Sequence, residues 1–109
     1  MEKLVRDKIP EIMEASGVKC NYRIEKDDLS FSFKLWEKLM EETQEFNEAC
    51  IKKGKDDTVE EAADMLTCII AYAKNEGKII TAEEIVESYK KKLEERGAFD
   101  KKIIATINI

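Results

Sequence analysis

Apolar residues recur at helical spacing along most of the chain, and short polar stretches that contain glycine separate these periodic segments. The pattern predicts an all-α fold, a small bundle of about four helices, one short and three longer. The predicted helices cover residues 7–16, 30–52, 58–75 and 82–96. The stretches 19–25 and 103–109 are expected to be extended instead, either as short strands or as coil.

Capping residues and glycines set the predicted helix boundaries. Asp7 is a candidate N-cap for the first helix. Thr58 with Glu61, and Thr81 with Glu84, have the spacing of a capping box. Each predicted helix is followed by a glycine, as expected where the backbone becomes left-handed at a C-cap. These glycines are Gly17, Gly54, Gly77 and Gly97.

One stripe of the second predicted helix combines apolar residues with a single acid. Leu35, Leu39, Phe46 and Ala49 fall on one line at helical spacing, and Glu42 completes that line. An apolar stripe of this kind normally packs against another helix. The sequence therefore predicts a carboxylate on the core-facing side of this helix.

Asp64 is the only charged residue in the run 62–73 of the third predicted helix. A helix that is apolar on nearly every side is normally buried, and a buried carboxylate must be paired, neutralised or bound to a cation. We therefore expect Asp64 to be buried and functional, and the second and third helices to face each other.

Each of these two acids has an acidic partner three residues away, which gives the pairs Glu42 with Glu45 and Glu61 with Asp64. Residues three apart on a helix point the same way, so each pair can act as a two-armed ligand, with Glu41 contributing from the flank. One such pair is usually solvated surface charge, but two pairs on facing helices indicate a metal site. Carboxylate oxygens suit Mg²⁺ or Mn²⁺, and the absence of histidine argues against zinc catalysis and di-iron bundles.

Size and charge limit the remaining possibilities. A chain of 109 residues predicts a single domain, residues 1–109, and a subunit this small often needs a partner, so we expect a homodimer or a dimer of dimers. The formal charge of -5 argues against binding to nucleic acid polymers or to an anionic membrane. No apolar run has the length of a membrane span, and no signal-peptide core is visible. The three cysteines lack the spacing of a disulfide framework or a zinc site. These features together predict a cytoplasmic location.

Four segments carry a resemblance to a known superfamily. Residues 39–45 read Leu-Met-Glu-Glu-Thr-Gln-Glu and residues 60–64 read Glu-Glu-Ala-Ala-Asp. They resemble the Glu-Glu-x-x-Glu and Glu-x-x-Asp signature of the all-α nucleoside triphosphate pyrophosphohydrolases, which include MazG-like and phosphoribosyl-ATP pyrophosphohydrolase-like proteins. Residues 3–12 and 92–99 resemble the opening and closing segments of a MazG-like branch.

This resemblance implies a helical, oligomeric hydrolase that uses Mg²⁺, with Mn²⁺ as a substitute. It implies cleavage of a nucleoside triphosphate, or a related nucleotide such as phosphoribosyl-ATP, between the α and β phosphates to give a monophosphate and pyrophosphate, in a nucleotide-pool house-cleaning role. The implied metal ligands are Glu42, Glu45, Glu61 and Asp64, and Glu41 completes the implied catalytic set.

Basic residues near both ends of the chain are candidates for phosphate binding. Lys92 and Arg96 match family positions suited to phosphate, although cations near a helix C-terminus are also favoured by the helix dipole. Lys3, Arg6 and Lys8 either close over phosphates or are solvated surface charge. Many MazG proteins carry asparagine at the position of Lys90, so nucleotide contacts made through that position do not transfer to this chain.

Trp36 is the candidate for contact with the nucleotide base, although an aromatic residue at helical spacing more often belongs to a core. The alternative to an enzyme is a non-catalytic helical module that serves oligomerisation or partner binding. Buried carboxylates at Glu42 and Asp64 distinguish the two, because a scaffold gains nothing from acids on its core-facing line.

Overall fold

The computed structural model describes residues 2–108 and contains four helices. They are α1 (Ile9–Ala15), α2 (Asp28–Lys52), α3 (Lys55–Asn75) and α4 (Ala82–Arg96). No strand forms within residues 2–108, so the stretch 19–25 and residues 103–108 are coil, while residue 109 lies outside the described part. The predicted all-α fold of four helices is confirmed.

The described part of the chain forms two compact units, residues 2–79 and residues 80–108. The first unit contains α1, α2 and α3, and the second contains α4 and the C-terminal segment. Over the described residues, no helix combines the length and the apolar composition needed to cross a membrane.

Helices α2 and α3 form an antiparallel hairpin that is the centre of the first unit. The two helices pack against each other as predicted. At one end, the Asn75 side chain donates hydrogen bonds to the Asp28 carbonyl (2.9 Å) and the Ser32 hydroxyl (2.7 Å). The Ser32 hydroxyl donates in turn to Glu76 (2.8 Å). These contacts join the start of α2 to the end of α3 and fix the register of the hairpin.

The core between these helices is small. Leu35, Ala49 and Cys68 are its buried apolar residues, and Glu42 is buried among them at 5% exposure. The predicted stripe of α2 therefore faces the core, with the carboxylate of Glu42 on the buried line. Removing this side chain from water costs free energy unless a cation or hydrogen-bond donors compensate.

The helix ends agree with the sequence prediction only in part. The Thr81–Glu84 capping box of α4 is confirmed, with the Glu84 amide bonded to the Thr81 hydroxyl and the Glu84 side chain bonded to the Thr81 amide. The box predicted for Thr58 and Glu61 is wrong. Helix α3 begins three residues earlier, at Lys55, and the Thr58 hydroxyl lies inside the helix, where it donates to the Gly54 carbonyl.

Two further boundaries also differ. The N-cap of α1 is Lys8 rather than Asp7, and no side chain caps that helix. Gly54 has φ of -85° and begins α3, so it is not a left-handed C-cap. Gly77, by contrast, has φ of +89° directly after α3. A side chain at position 77 would be strained, as predicted for a glycine that ends a helix.

Candidate metal centre

Three carboxylates from the hairpin converge on one point. Glu42 and Glu45 lie one turn apart on α2, and Glu61 lies on α3. Each offers one oxygen, and the three oxygens all lie within 4.8 Å of one another. The i, i+3 pair on α2 thus meets an acid from the facing helix, as the sequence pattern predicts.

Two oxygens of this cluster lack partners. Glu42 Oε2 and Glu61 Oε2 are buried and accept no hydrogen bond. A buried acceptor without a donor is costly, by about 1–3 kcal/mol and more if it is charged. A bound cation would remove this cost, and three convergent carboxylates are the donors that Mg²⁺ and Mn²⁺ prefer. The residues therefore fit a hard divalent cation.

Glu45 holds a proton more readily than a free glutamate does. Its pKa lies above the ordinary value of 4.5, first because neighbouring atoms exclude water. A protonated Glu45 can also donate a hydrogen bond to Glu42, and Glu42 and Glu61 repel its charged form. With no cation bound, the folded protein therefore retains a proton at Glu45 at pH values where the unfolded chain has lost it.

This raised pKa predicts the pH dependence of stability in the presence of chelator. Because the folded state binds more protons, the free energy of unfolding should fall as pH rises from about 4.5 through the raised pKa of Glu45, and then level off. Thermal unfolding of the wild type and of Glu45→Gln across this range measures the effect. The substitution should remove that decline, whereas parallel curves for the two proteins would contradict the prediction.

Asp64 lies outside the three-carboxylate cluster and forms an ion pair with an arginine side chain. Arg6 Nη2 lies 2.6 Å from Asp64 Oδ1 and donates a second hydrogen bond to the Thr67 hydroxyl (3.2 Å). The Asp64 side chain is 37% exposed, so the prediction that it is buried is wrong. The apolar run of α3 is covered by α2 on one side only, which leaves its other faces accessible. The role of Asp64 as a metal ligand stays a prediction.

Glu41 and Glu42 are also held by lysines. Lys3 Nζ lies 2.8 Å from Glu41 Oε1, and this hydrogen bond is the main cause of a pKa of Glu41 below its ordinary value. Lys38 Nζ lies 3.0 Å from Glu42 Oε1 and 3.7 Å from Glu41 Oε1. Sequence reasoning missed Lys38. Its signal is the i, i+4 spacing to Glu42, which places a lysine one turn before the acid.

The remaining candidates are distributed over both units. Lys8 forms no ion pair among residues 2–108. The Trp36 ring lies 5.5 Å from that of Tyr72 in a tilted arrangement and is half exposed. In the second unit, Lys92 and Arg96 line an open groove of about 810 Å³. Apolar residues make up most of the rest of its wall, among them Ile85, Tyr89, Leu93 and Phe99.

Comparison with known proteins identifies the family. Residues 32–98 match the model of the MazG nucleotide pyrophosphohydrolase domain, a stretch that covers more than half of the chain. It includes both acidic pairs as well as Lys92 and Arg96. No significant match was found among curated proteins or among solved structures. With its carboxylates converging within the matched stretch, the chain belongs to the MazG nucleotide pyrophosphohydrolase family.

Proposed function

We propose that this protein is a Mg²⁺-dependent hydrolase that cleaves a nucleoside triphosphate between its α and β phosphates, releasing a monophosphate and pyrophosphate. The observation that carries the proposal is the pair of buried, unpartnered oxygens on Glu42 and Glu61 in a MazG-family chain. A non-catalytic oligomerisation module would have no use for them. In the cytoplasm, such an activity would serve nucleotide-pool house-cleaning.

Each acid has a proposed part in this reaction. Glu42, Glu45 and Glu61 would hold the cation, Asp64 would join them, and Glu41 would assist from the flank. Mn²⁺ would substitute for Mg²⁺. When bound, the cation neutralises phosphate charge and lowers the pKa of a coordinated water. Because the cluster is strongly acidic, an anionic nucleotide would otherwise be repelled from it.

Cationic and aromatic side chains would bind the rest of the substrate. We assign Lys92 and Arg96 to the phosphates, including the leaving pyrophosphate, because both line the groove in the second unit. Lys3, Arg6 and Lys8 are the further candidates for phosphate contact, and Trp36 is the candidate for contact with the base, supported by the exposure of its ring. Tyr89 and Phe99 give the groove apolar walls.

The proposed reaction is tested by its products. A panel of nucleoside triphosphates is incubated with Mg²⁺ or Mn²⁺ in ¹⁸O-labelled water, and pyrophosphate and orthophosphate are measured separately. Attack at the α phosphorus should release pyrophosphate and place the label in the nucleoside monophosphate. A chelator should abolish turnover, since the carboxylates alone do not bind phosphate.

The label distinguishes this reaction from its nearest alternative. Attack at the γ phosphorus would instead give labelled orthophosphate and a nucleoside diphosphate. That outcome, or equal turnover with and without divalent cations, would contradict the proposal.

We also propose that the chain associates with a second copy of itself. Helix α2 carries an exposed apolar stripe in addition to its buried one, formed by Leu29, Phe33, Trp36 and Met40. Their spacing of four, three and four residues places them on one face of the helix. Each is between 46% and 66% exposed, which is unusual for large apolar side chains in line. The same stripe on another copy is a self-complementary partner, as in a two-fold dimer.

A further inference from the structure

The N-terminal arm, residues 2–8, lies across both helices of the hairpin and contacts the acids beside the cluster. Lys3 reaches Glu41 on α2, with 2.8 Å between Nζ and Oε1. Arg6 reaches Asp64 on α3, with 2.6 Å between Nη2 and Oδ1. Two cationic side chains of the arm thus hold two acids that neighbour the convergent carboxylates in sequence.

The five acids of the signature therefore differ in whether the arm holds them. Glu42, Glu45 and Glu61 converge and form no ion pair with the arm among the described residues. Glu42 and Glu61 each retain one buried oxygen without a hydrogen-bond donor, while Lys38 of α2 holds the other oxygen of Glu42. Glu41 and Asp64 each have one oxygen bound by a basic side chain of the arm, Lys3 and Arg6 respectively. An oxygen that accepts a short hydrogen bond from a guanidinium or ammonium group is not free to ligate a metal ion.

We propose, building on the proposed metal-dependent function, that the N-terminal arm is an internal counter-ion that competes with the divalent cation for Asp64 and Glu41. With the arm docked, a cation is held by the three convergent carboxylates. Arg6 occupies Oδ1 of Asp64, so this oxygen becomes a ligand only when Arg6 leaves it. Docking of the arm and full coordination of the cation thus oppose each other, and this coupling is reciprocal.

The expected coupling is modest because the ion pairs are partly exposed. The side chains of Arg6 and Lys3 are 55% and 53% exposed, and those of their acidic partners are 37% and 38% exposed. Loss of one such pair should change cation affinity by about two- to fivefold, the range typical of partly exposed ion pairs. High salt should reduce the difference, because mobile ions screen these charges.

Release of the arm has a consequence for the substrate. Arg6 and Lys3 would be freed next to a cation that carries a nucleotide, and both are donors suited to phosphate oxygens. Without cation and nucleotide, these two side chains would neutralise Glu41 and Asp64. With both bound, the same side chains would neutralise the phosphates of the nucleotide.

Calorimetric titration with Mn²⁺, and then with Mg²⁺, tests the competition without any substrate. The proteins are the wild type, Arg6→Gln, Lys3→Gln and the control Lys8→Gln, at one ionic strength. Lys8 lies in the same arm but forms no ion pair among the described residues, so its substitution removes the same charge without freeing an acid. Arg6→Gln and Lys3→Gln should bind the cation about two- to fivefold more tightly than Lys8→Gln does. Affinities equal to or weaker than that of Lys8→Gln would overturn the proposal.

The guanidinium signals of the wild type in NMR provide a second readout. The arginines of the chain are Arg6, Arg23 and Arg96. Addition of Mg²⁺ should remove the signature of the ion pair from Arg6. Arg96 should not change, because it forms no ion pair among residues 2–108. An Arg6 signal that stays unchanged at saturating Mg²⁺ would refute the competition.

The two proposals fail in different ways. If the cation binds and Arg6 does not respond, the arm proposal is wrong and the metal site stands. If no divalent cation binds to any of the four proteins, the metal site itself is wrong, and the competition is refuted with it.

Discussion

Replacement of Glu42 by glutamine should reduce pyrophosphate release by at least about 100-fold at saturating Mg²⁺. Residues that merely support metal ligands already cost about 10- to 100-fold when they are changed, and a buried ligand should cost more. The folded state should survive, because the substitution keeps the shape of the side chain and removes a buried negative charge from a repulsive cluster. Initial rates and the thermal midpoint, measured on the same preparation, provide the two readouts.

The matched control for this substitution is Glu60→Gln. Glu60 lies on α3 next to Glu61 and is exposed, so its activity should stay near that of the wild type. The thermal midpoint should also separate the two variants. Mg²⁺ at about 100 times its dissociation constant stabilises a protein that binds it by about 2.7 kcal/mol. Glu60→Gln should gain this stabilisation and Glu42→Gln should not. Full turnover by Glu42→Gln would exclude this carboxylate as a ligand.

Replacement of Phe33 by glutamate should dissociate the protein into monomers at micromolar concentration. Burial of one phenylalanine contributes about 1.5–3 kcal/mol. A two-fold interface contains the residue twice, so the loss is about 3–6 kcal/mol, or about 10²- to 10⁴-fold in the dissociation constant. The glutamate charge adds to this loss, because it would have to be desolvated in the apolar stripe. Sedimentation equilibrium measures the change.

The control at the same position is Phe33→Leu, which preserves an apolar side chain and should retain most of the association. Comparison of the two variants separates the loss of the apolar stripe from any local effect on α2. A wild-type protein that remains a stable and active monomer at micromolar concentration would contradict the proposed assembly.

Hydrophobic periodicity predicted most of the fold, because each helix carries its own local signal. Helix α4 begins and ends at the predicted residues, between a capping box at Thr81 and the glycine at position 97. Helix α3 was predicted too short because Thr58 imitates an N-cap. The structure instead places Asp56 and Asp57 in the first turn, where negative charge is favourable near the positive end of the helix dipole.

The candidate site was predictable where it depends on one helix and less so where it depends on contacts between segments. Glu42 was recognised as core-facing because its four stripe neighbours are apolar, and it is buried. The pairing of Arg6 with Asp64 joins residues that are 58 positions apart. No periodicity reports such a contact, so the sequence indicated the charges of the N-terminal arm but not their partners.

The antiparallel hairpin of α2 and α3 carries all three convergent carboxylates within a short stretch of chain, and this has a consequence for folding kinetics. Glu42, Glu45 and Glu61 come together as soon as the two helices meet, and contacts between nearby segments form early because little loop entropy must be lost. A divalent cation that bridges them would stabilise the transition state for folding nearly as much as the native state. It would therefore act mainly by accelerating folding, with little effect on the rate of unfolding.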